Sequence, residues 1–350
     1  DGSASSPASG DWRGLHLNAS LDDGNTQIVF CNFRFGGSDY VLDLDSCSPS
    51  IINNQFELCT YGIRLRNDSS PNIYSNNFQV NSWQPIEKTI QAEPNFSANT
   101  LSNDNVPALG IRGESIGQDM TMRQWDFAGY SNITQVLTAG TLTVQLGATL
   151  TIEPGVILKL MSQSYTPYAA NISVYGGLQA DASQGDPIIF TSIRDDSVGN
   201  PADTNSDGSA TMPGTGNWGR IYYDEVSDDG VNLMRNVQLR YGYSSTSDQG
   251  MVWMSSAAPT FIDCTFESAG HCLGILGASA PVLTDCTFDN ATSTPVRMSL
   301  ISNPVFSGTI FGPGNGYNAL GIHGETLAQN ATIKRRDMAQ VENIPYVLLG

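Results

Sequence analysis

The stretch PSIINNQFELCTYGIRLRNDSSPNIYSNNF, from Pro49 to Phe78, says the same thing twice. Pro49-Ser50-Ile51 returns as Pro71-Asn72-Ile73, and Asn53-Asn54-Gln55-Phe56 returns as Ser75-Asn76-Asn77-Phe78, each after 22 residues. Far downstream, Pro259-Thr260-Phe261 and Asp263-Cys264-Thr265-Phe266 are followed at the same step of 22 by Pro281-Val282-Leu283 and Asp285-Cys286-Thr287-Phe288. Short alternating apolar segments broken by Gly, Asn, Ser and Pro, with a period in the low twenties, signal a β-solenoid. One such coil cannot bury its own inward face, so coils must stack at the ~4.8 Å spacing of neighbouring strands. The chain therefore reads as all-β, a parallel β-helix with coils of about 22 residues.

Working outward, a larger repeat appears. Asp1-Gly2-Ser3-Ala4 matches Asp207-Gly208-Ser209-Ala210, and Phe33-Arg34-Phe35-Gly36 matches Leu239-Arg240-Tyr241-Gly242, both at an offset of 206. The proline-led coils align at 210, and Ala108 to Glu114 meets Ala319 to Glu325 at 211. The expected organisation is A–B–A′: module A at 1–139, module B with an acidic loop at 140–206, and the duplicate A′ at 207–350. Module B is present once, as in a cropped tandem array, and residues 81–139 do not phase cleanly into coils. The expectation at this level is a mature form or an excised piece of a longer repetitive protein, or a subunit whose open ends meet the next one. Within A, Cys31, Asn54 and Asn77 are expected to face inward, with Val237, Cys264 and Cys286 their counterparts in A′, so that Asn amides bond from coil to coil.

The composition narrows the function classes. The chain has 34 acidic residues against 16 basic ones and a net charge of −18, which argues against nucleic acid and against an anionic membrane surface. No apolar run approaches the length of a membrane span, so no membrane insertion is expected. Six cysteines show neither CxxC nor Cys/His zinc spacing, and read as buried thiols, with a disulfide between adjacent coils, where Cys264 and Cys286 hold the same place, as the alternative. Low charge density with many Gly, Ser, Thr and Asn suits an extracellular or cell-surface protein.

Residues 141–190 carry the most regular β text. The segments LTVQLGATLTIEPGVILKL, ISVYGGLQA and PIIFTS resemble the right-handed parallel β-helix repeats of secreted and surface-anchored bacterial proteins of the pectin-lyase-like superfamily. That resemblance implies a right-handed coil and covers most of the chain. It leaves the chemistry open, because such proteins include polysaccharide lyases, hydrolases, adhesins and structural surface proteins.

The sharpest local motif is Asp203-Thr204-Asn205-Ser206-Asp207-Gly208-Ser209. Oxygen ligands at alternate positions with a glycine for the turn suit a compact calcium loop, with Asp203, Asn205, Asp207 and Ser209 as ligands and Asp195 and Asp196 completing the shell. The alternative is a solvated Asx-turn loop. Asp1-Gly2 reads as the tail of a truncated second copy. For catalysis, the superfamily's lyases imply a calcium cluster beside a base, for which Arg194 and Arg220 stand nearest. Its hydrolases imply an Asp cluster with Gly-His-Gly and Arg-Ile-Lys. Here Asp22-Asp23, Asp228-Asp229 and Gly321-Ile322-His323-Gly324 answer only in part, and Arg-Ile-Lys does not occur. Trp12 and Trp218 recur as a pair and are expected to cap the core. The three histidines (His16, His271 and His323) are expected to be structural.

The expected function is a structural extracellular solenoid, part of a filament, sheath, stalk or adhesin, without enzyme activity and assembling end to end. The alternative is a carbohydrate-binding surface module that engages polysaccharide, or else a polysaccharide lyase or glycoside hydrolase.

Overall fold

The computed structural model describes residues 5–138, 140–161, 169–243 and 249–349, so Asp1-Gly2-Ser3-Ala4 lies outside the described residues. Among the described residues the chain is all-β without helix, its parallel strands stacked as a β-solenoid of about 14 turns spaced by about 23 residues. It divides into two compact units: Asp1–Arg112 with Gln124–Leu137 and Ile193–Met212, and Gly113–Arg123 with Thr138–Ser192 and Pro213–Gly350.

In the first unit each full coil places one strand in each of three sheets. The first sheet holds Leu15–Asn18, Leu42–Asp45, Ile63–Arg66, Ile86–Lys88, Leu109–Ile111 and Gln135–Leu137 in that order. The second holds Gln27–Val29, Ser50–Ile52, Asn72–Tyr74 and Asn95–Ser97, and the third Asn32–Arg34, Gln55–Glu57, Asn77–Gln79 and Thr100–Ser102. The coils thus continue beyond residue 81, where periodicity alone had lost the phase.

Single residues with left-handed backbone turn the corners. Between the second and third sheets these are Phe30, Asn53, Ser75 and Ala98, with φ from 51° to 56°. After the third sheet they are Phe35, Leu58, Val80 and Asn103, with φ from 54° to 59°. Each such corner resets the two-residue alternation, so the residue that follows turns inward. That is why the amide ladder differs from expectation at one rung. Asn54, Asn76 and Asn99 are buried, whereas Asn77 begins the next strand and accepts from Thr100 Oγ1 at 2.9 Å.

The ladder is continuous. Asn76 Oδ1 accepts from the Asn54 backbone N at 2.9 Å and from Asn54 Nδ2 at 3.0 Å, and Asn99 Oδ1 serves Asn76 in the same way. Each Nδ2 also donates to a carbonyl of the coil before: Asn54 to Ile28 O, Asn76 to Ile51 O and Asn99 to Ile73 O, all at 2.8 Å. Beside the ladder, Phe33, Phe56 and Phe78 stack at centroid separations of 5.1 and 4.8 Å. Buried polar groups are satisfied while the rings keep the core dry.

The second unit repeats this plan. Its nine-stranded sheet runs from Ser115–Ile116 through Ile221–Tyr223, Val252–Ser255, Leu273–Leu276, Val296–Met298 and Leu320–Ile322 to Tyr346–Leu348. The last six of these strands coincide with the first-unit strands of the first sheet at offsets of 206, 210 or 211. Its inner ladder differs: Cys264 and Cys286 occupy the places of Asn54 and Asn76, and Cys286 Sγ reaches Phe261 O at 3.6 Å. All six cysteines are free thiols, and five are buried. Burial raises the pKa of Cys59, Cys264 and Cys272, as expected for inert core thiols.

Trp12 and Trp218 explain one repeated glycine. Trp12 Nε1 donates to Arg34 O at 2.8 Å, and Trp218 Nε1 donates to Arg240 O at 2.7 Å. A Cβ on Gly36 would lie 2.5 Å from the Trp12 ring, so Phe-Arg-Phe-Gly must end in glycine. Trp218 is fully buried, and Trp12 is partly buried against the core.

Candidate functional site

The acidic loop belongs to the first unit and is anchored there by one main-chain bond and two bonds between hydroxyls and main chain. Thr134 N donates to Asn200 O at 2.9 Å, Asn200 N donates to Thr134 Oγ1 at 2.7 Å, and Ser206 Oγ donates to the carbonyl of Asp104 at 2.9 Å. The turn itself is made by carboxylates that accept from backbone. Asp203 takes Asp207 N and Gly208 N at 3.1 and 3.0 Å, and Asp207 takes the amides of Ser209, Ala210 and Thr211 together with the Thr211 hydroxyl. The Thr211 hydroxyl, with those amides, holds the Asp207 carboxyl below the usual carboxylate range. Gly208 has a φ of +60° with open space around it, so its role is conformational.

One carboxylate oxygen each from Asp196, Asp203 and Asp207 comes together within 4.8 Å, on half-buried side chains. Hard anionic oxygens at that separation fit a calcium ion. The other expected ligands make different bonds. Asp195 is buried and accepts from Ser197 N and Oγ, Asn205 turns its Nδ2 to Asp207 Oδ2 at 2.8 Å, and Ser209 contributes its backbone N–H. Arg220 stacks on the Tyr243 and Trp253 rings at 5.4 and 4.8 Å, in the second unit.

The Asp-Asp-Gly pairs are turns. Asp23 Oδ1 accepts from Ser48 N at 2.7 Å, and Asp229 Oδ1 accepts from Ala258 N at 2.6 Å, each tying one coil to the next. Asp22 and Asp228 close their own turns through backbone and side chain.

A second site was not anticipated. On the outer face of the first sheet, His16, Asp43, Arg64 and Glu87 are register partners in successive strands, and Asp45 pairs with Arg66. Opposite charges facing across parallel strands stabilise the sheet. Arg64 Nε donates to Asp43 Oδ1 at 2.8 Å, while Arg66 Nε and NH2 reach the same carboxylate at 3.1 and 2.9 Å. His16 Nδ1 lies 3.1 Å from Asp43 Oδ2. Burial pushes the Asp43 carboxyl up, but Arg64, Arg66 and His16 outweigh it and hold it below the carboxylate range. The Asp43 hydrogen bond in turn raises Arg64. His16, Asp43, Arg64 and Arg66, with Arg13, Asp39 and Tyr40, line a cleft of about 470 Å³. The signal lay in the strands LDLD and IRLR, whose outward positions carry opposite charges 21 residues apart.

Aromatic rings flank both units. Tyr40, Tyr61 and Trp83 follow one another at 4.7 and 6.0 Å, and Tyr175, Tyr222 and Trp253 at 6.2 and 4.4 Å. The rings Tyr40–Tyr61–Trp83 and Tyr222–Trp253 turn their faces largely to one another, and Arg64 covers Tyr40 at 4.5 Å. In the second unit the equivalents of His16, Asp43, Arg64 and Glu87 are Tyr222, Trp253, Gly274 and Arg297, so the charged row is not repeated. His271 donates from Nδ1 to Thr294 O at 2.6 Å, and burial lowers its pKa. His323 Nδ1 accepts from Arg297 NH2 at 3.0 Å.

No protein-family model matches the chain, and no curated protein and no solved structure matches it.

Proposed function

We propose that the chain is a structural segment of an extracellular, cell-surface solenoid, a parallel β-helix of the pectin-lyase-like kind, without enzyme activity. In this reading it forms part of a filament, sheath, stalk or adhesin. Its partners are further copies of itself, end to end, and polysaccharide at the cleft around Asp43. The A–B–A′ division into 1–139, 140–206 and 207–350 describes the tandem unit of that larger structure.

One observation carries the reading: bonds of every kind run from coil to coil. Phe56 stacks on Phe78, Asn54 bonds Asn76, and Asp43 binds Arg64 and Arg66. Such layering resists bending and stretching along the stack, as a repeat scaffold requires. The charges of the cleft are spent largely on one another, which suits a scaffold better than a catalytic centre. Calcium belongs to the proposal as an ordering ion held by Asp196, Asp203 and Asp207, since a cation bound only by the folded loop stabilises it by mass action.

Negative-stain electron microscopy of the purified protein, with and without a calcium chelator, tests the reading. Fibres with a regular axial repeat are expected, shortened or lost on chelation. Isolated short particles in both conditions would remove self-assembly and leave polysaccharide binding at the Asp43 cleft as the reading to pursue.

A further inference from the structure

A second inner ladder runs beside the first. It is formed by the residues that follow the corners at Leu58, Val80 and Asn103, namely Cys59, Asn81 and Asp104. Cys59 N donates to Asn81 Oδ1 at 3.0 Å, and Asn81 N donates to Asp104 Oδ1 at 2.5 Å. Asn81 Nδ2 donates back to Phe56 O at 3.3 Å, the same return bond that Asn54, Asn76 and Asn99 make. At every Asn rung, therefore, one oxygen faces the coil before and one N–H returns to a carbonyl about 25 residues upstream.

Asp104 sits at a rung but has no N–H to return. The residue is 3% exposed, and among the described residues its buried Oδ2 has no hydrogen-bond partner. The second unit shows what the position otherwise holds. There Asn315 accepts from Ala291 N at 3.0 Å and donates from Nδ2 to Phe288 O at 3.1 Å. The first-unit counterpart of Phe288 O is the carbonyl of Phe78. Placed there, an ionised carboxylate sets oxygen against oxygen, whereas a protonated one supplies an O–H donor in the place of the amide.

We propose that Asp104 is a proton-operated latch. Protonated, it completes the ladder to Phe78 O and keeps the acidic loop docked through Ser206, which donates to its own carbonyl. Ionised, it opens that rung and loosens the loop. The loop contact is direct, because Ser206 Oγ lies 2.9 Å from Asp104 O.

Among the described residues the groups facing Asp104 are few. The preceding coil offers the neutral Asn81 amide, and the coil before that offers the buried Cys59 thiol, which burial raises, with the Asp104 charge raising it further. The loop offers the Ser206 hydroxyl. Burial, set against the Asn81 bonds, pushes the Asp104 carboxyl up to about 7. Since the unfolded carboxyl titrates near 3.8, the folded chain holds a proton that the unfolded chain has lost between those values. The stabilisation from this group is complete below the unfolded value and is lost as pH rises through the folded one.

The test uses the full chain with Asp104→Asn and, as its converse, Asn315→Asp. Thermal midpoints and backbone hydrogen exchange over residues 100–106 and 200–211, corrected for intrinsic rate, are followed from about pH 5 to about pH 8. The wild type is expected to lose both midpoint and protection in these segments as pH rises. Asp104→Asn should flatten both profiles and exceed the wild type at the alkaline end. Asn315→Asp should add a second alkaline loss confined to its own coil. Parallel profiles in the wild type and Asp104→Asn, or an Asp104→Asn protein less stable than the wild type at every pH, would overturn the latch.

Discussion

Val80 is a β-branched residue at φ 54°, a conformation that L side chains other than Asn and Asp avoid, and its side chain is 41% exposed. Leu58 and Phe35 turn the same corner of neighbouring coils with φ of 55° and 59°. The second unit places Asn290, Ser268 and Tyr241 at the equivalent positions, so Asn at Val80's corner already has a precedent within the molecule. Val80→Asn should raise stability by about 1 kcal/mol, read from equilibrium denaturation, because strain is relieved while little burial is lost. The same corners limited what could be read from the sequence. Phe, Leu and Val look like strand residues, and an alternation carried through them slips by one place. At Ser75, the corner before Asn76, the same slip put Asn77 where Asn76 belongs. In the second unit Asp263 and Asp285 mark the corner openly, and Cys264 and Cys286 were placed correctly for that reason.

At the scale of the element, the inner ladders set the cost of a lesion. Removing Asn76 takes from a dry core the acceptor of the Asn54 N–H and one of the donors to the Ile51 carbonyl. Asn76→Ala should cost about 3 kcal/mol in a denaturant titration, from unsatisfied buried groups. Cys286→Ala, at the equivalent rung, should cost only about 1 kcal/mol, since a thiol makes weak bonds and removal of its sulfur leaves a small gap. Equal losses at the two sites would mean that packing, not hydrogen bonding, governs both. The acidic loop was partly legible at this scale. Alternating oxygens with glycine pointed to Asp203 and Asp207, and Asp196 joins them from upstream. The turn of the Asn205 amide toward Asp207 was not legible, because it depends on which backbone amides the carboxylates capture first. The Asp43 cleft needed coil register before its charges could be matched, and register was uncertain wherever a corner was misread.

For the molecule as a whole, duplication was legible because strands recur at nearly constant offsets. The grouping into compact units was not, since Ile193–Met212 belongs to the first unit and Gly113–Arg123 to the second. A net charge of −18 also acts at this scale. Like-charged copies repel one another at low ionic strength, and screening shortens that repulsion to about 8 Å near physiological salt. End-to-end association should therefore increase as sodium chloride is raised at fixed calcium, followed by light scattering. Association that weakens with salt would point to ion pairs as the joint instead. The ring stacks bear on how such changes could be watched. Tyr61 lies 6.0 Å from Trp83 in one unit and Tyr222 lies 4.4 Å from Trp253 in the other, so light absorbed by either tyrosine is handed to a tryptophan in its own unit. The protein thus carries two native optical gauges, each reading the spacing of the coils in which it sits.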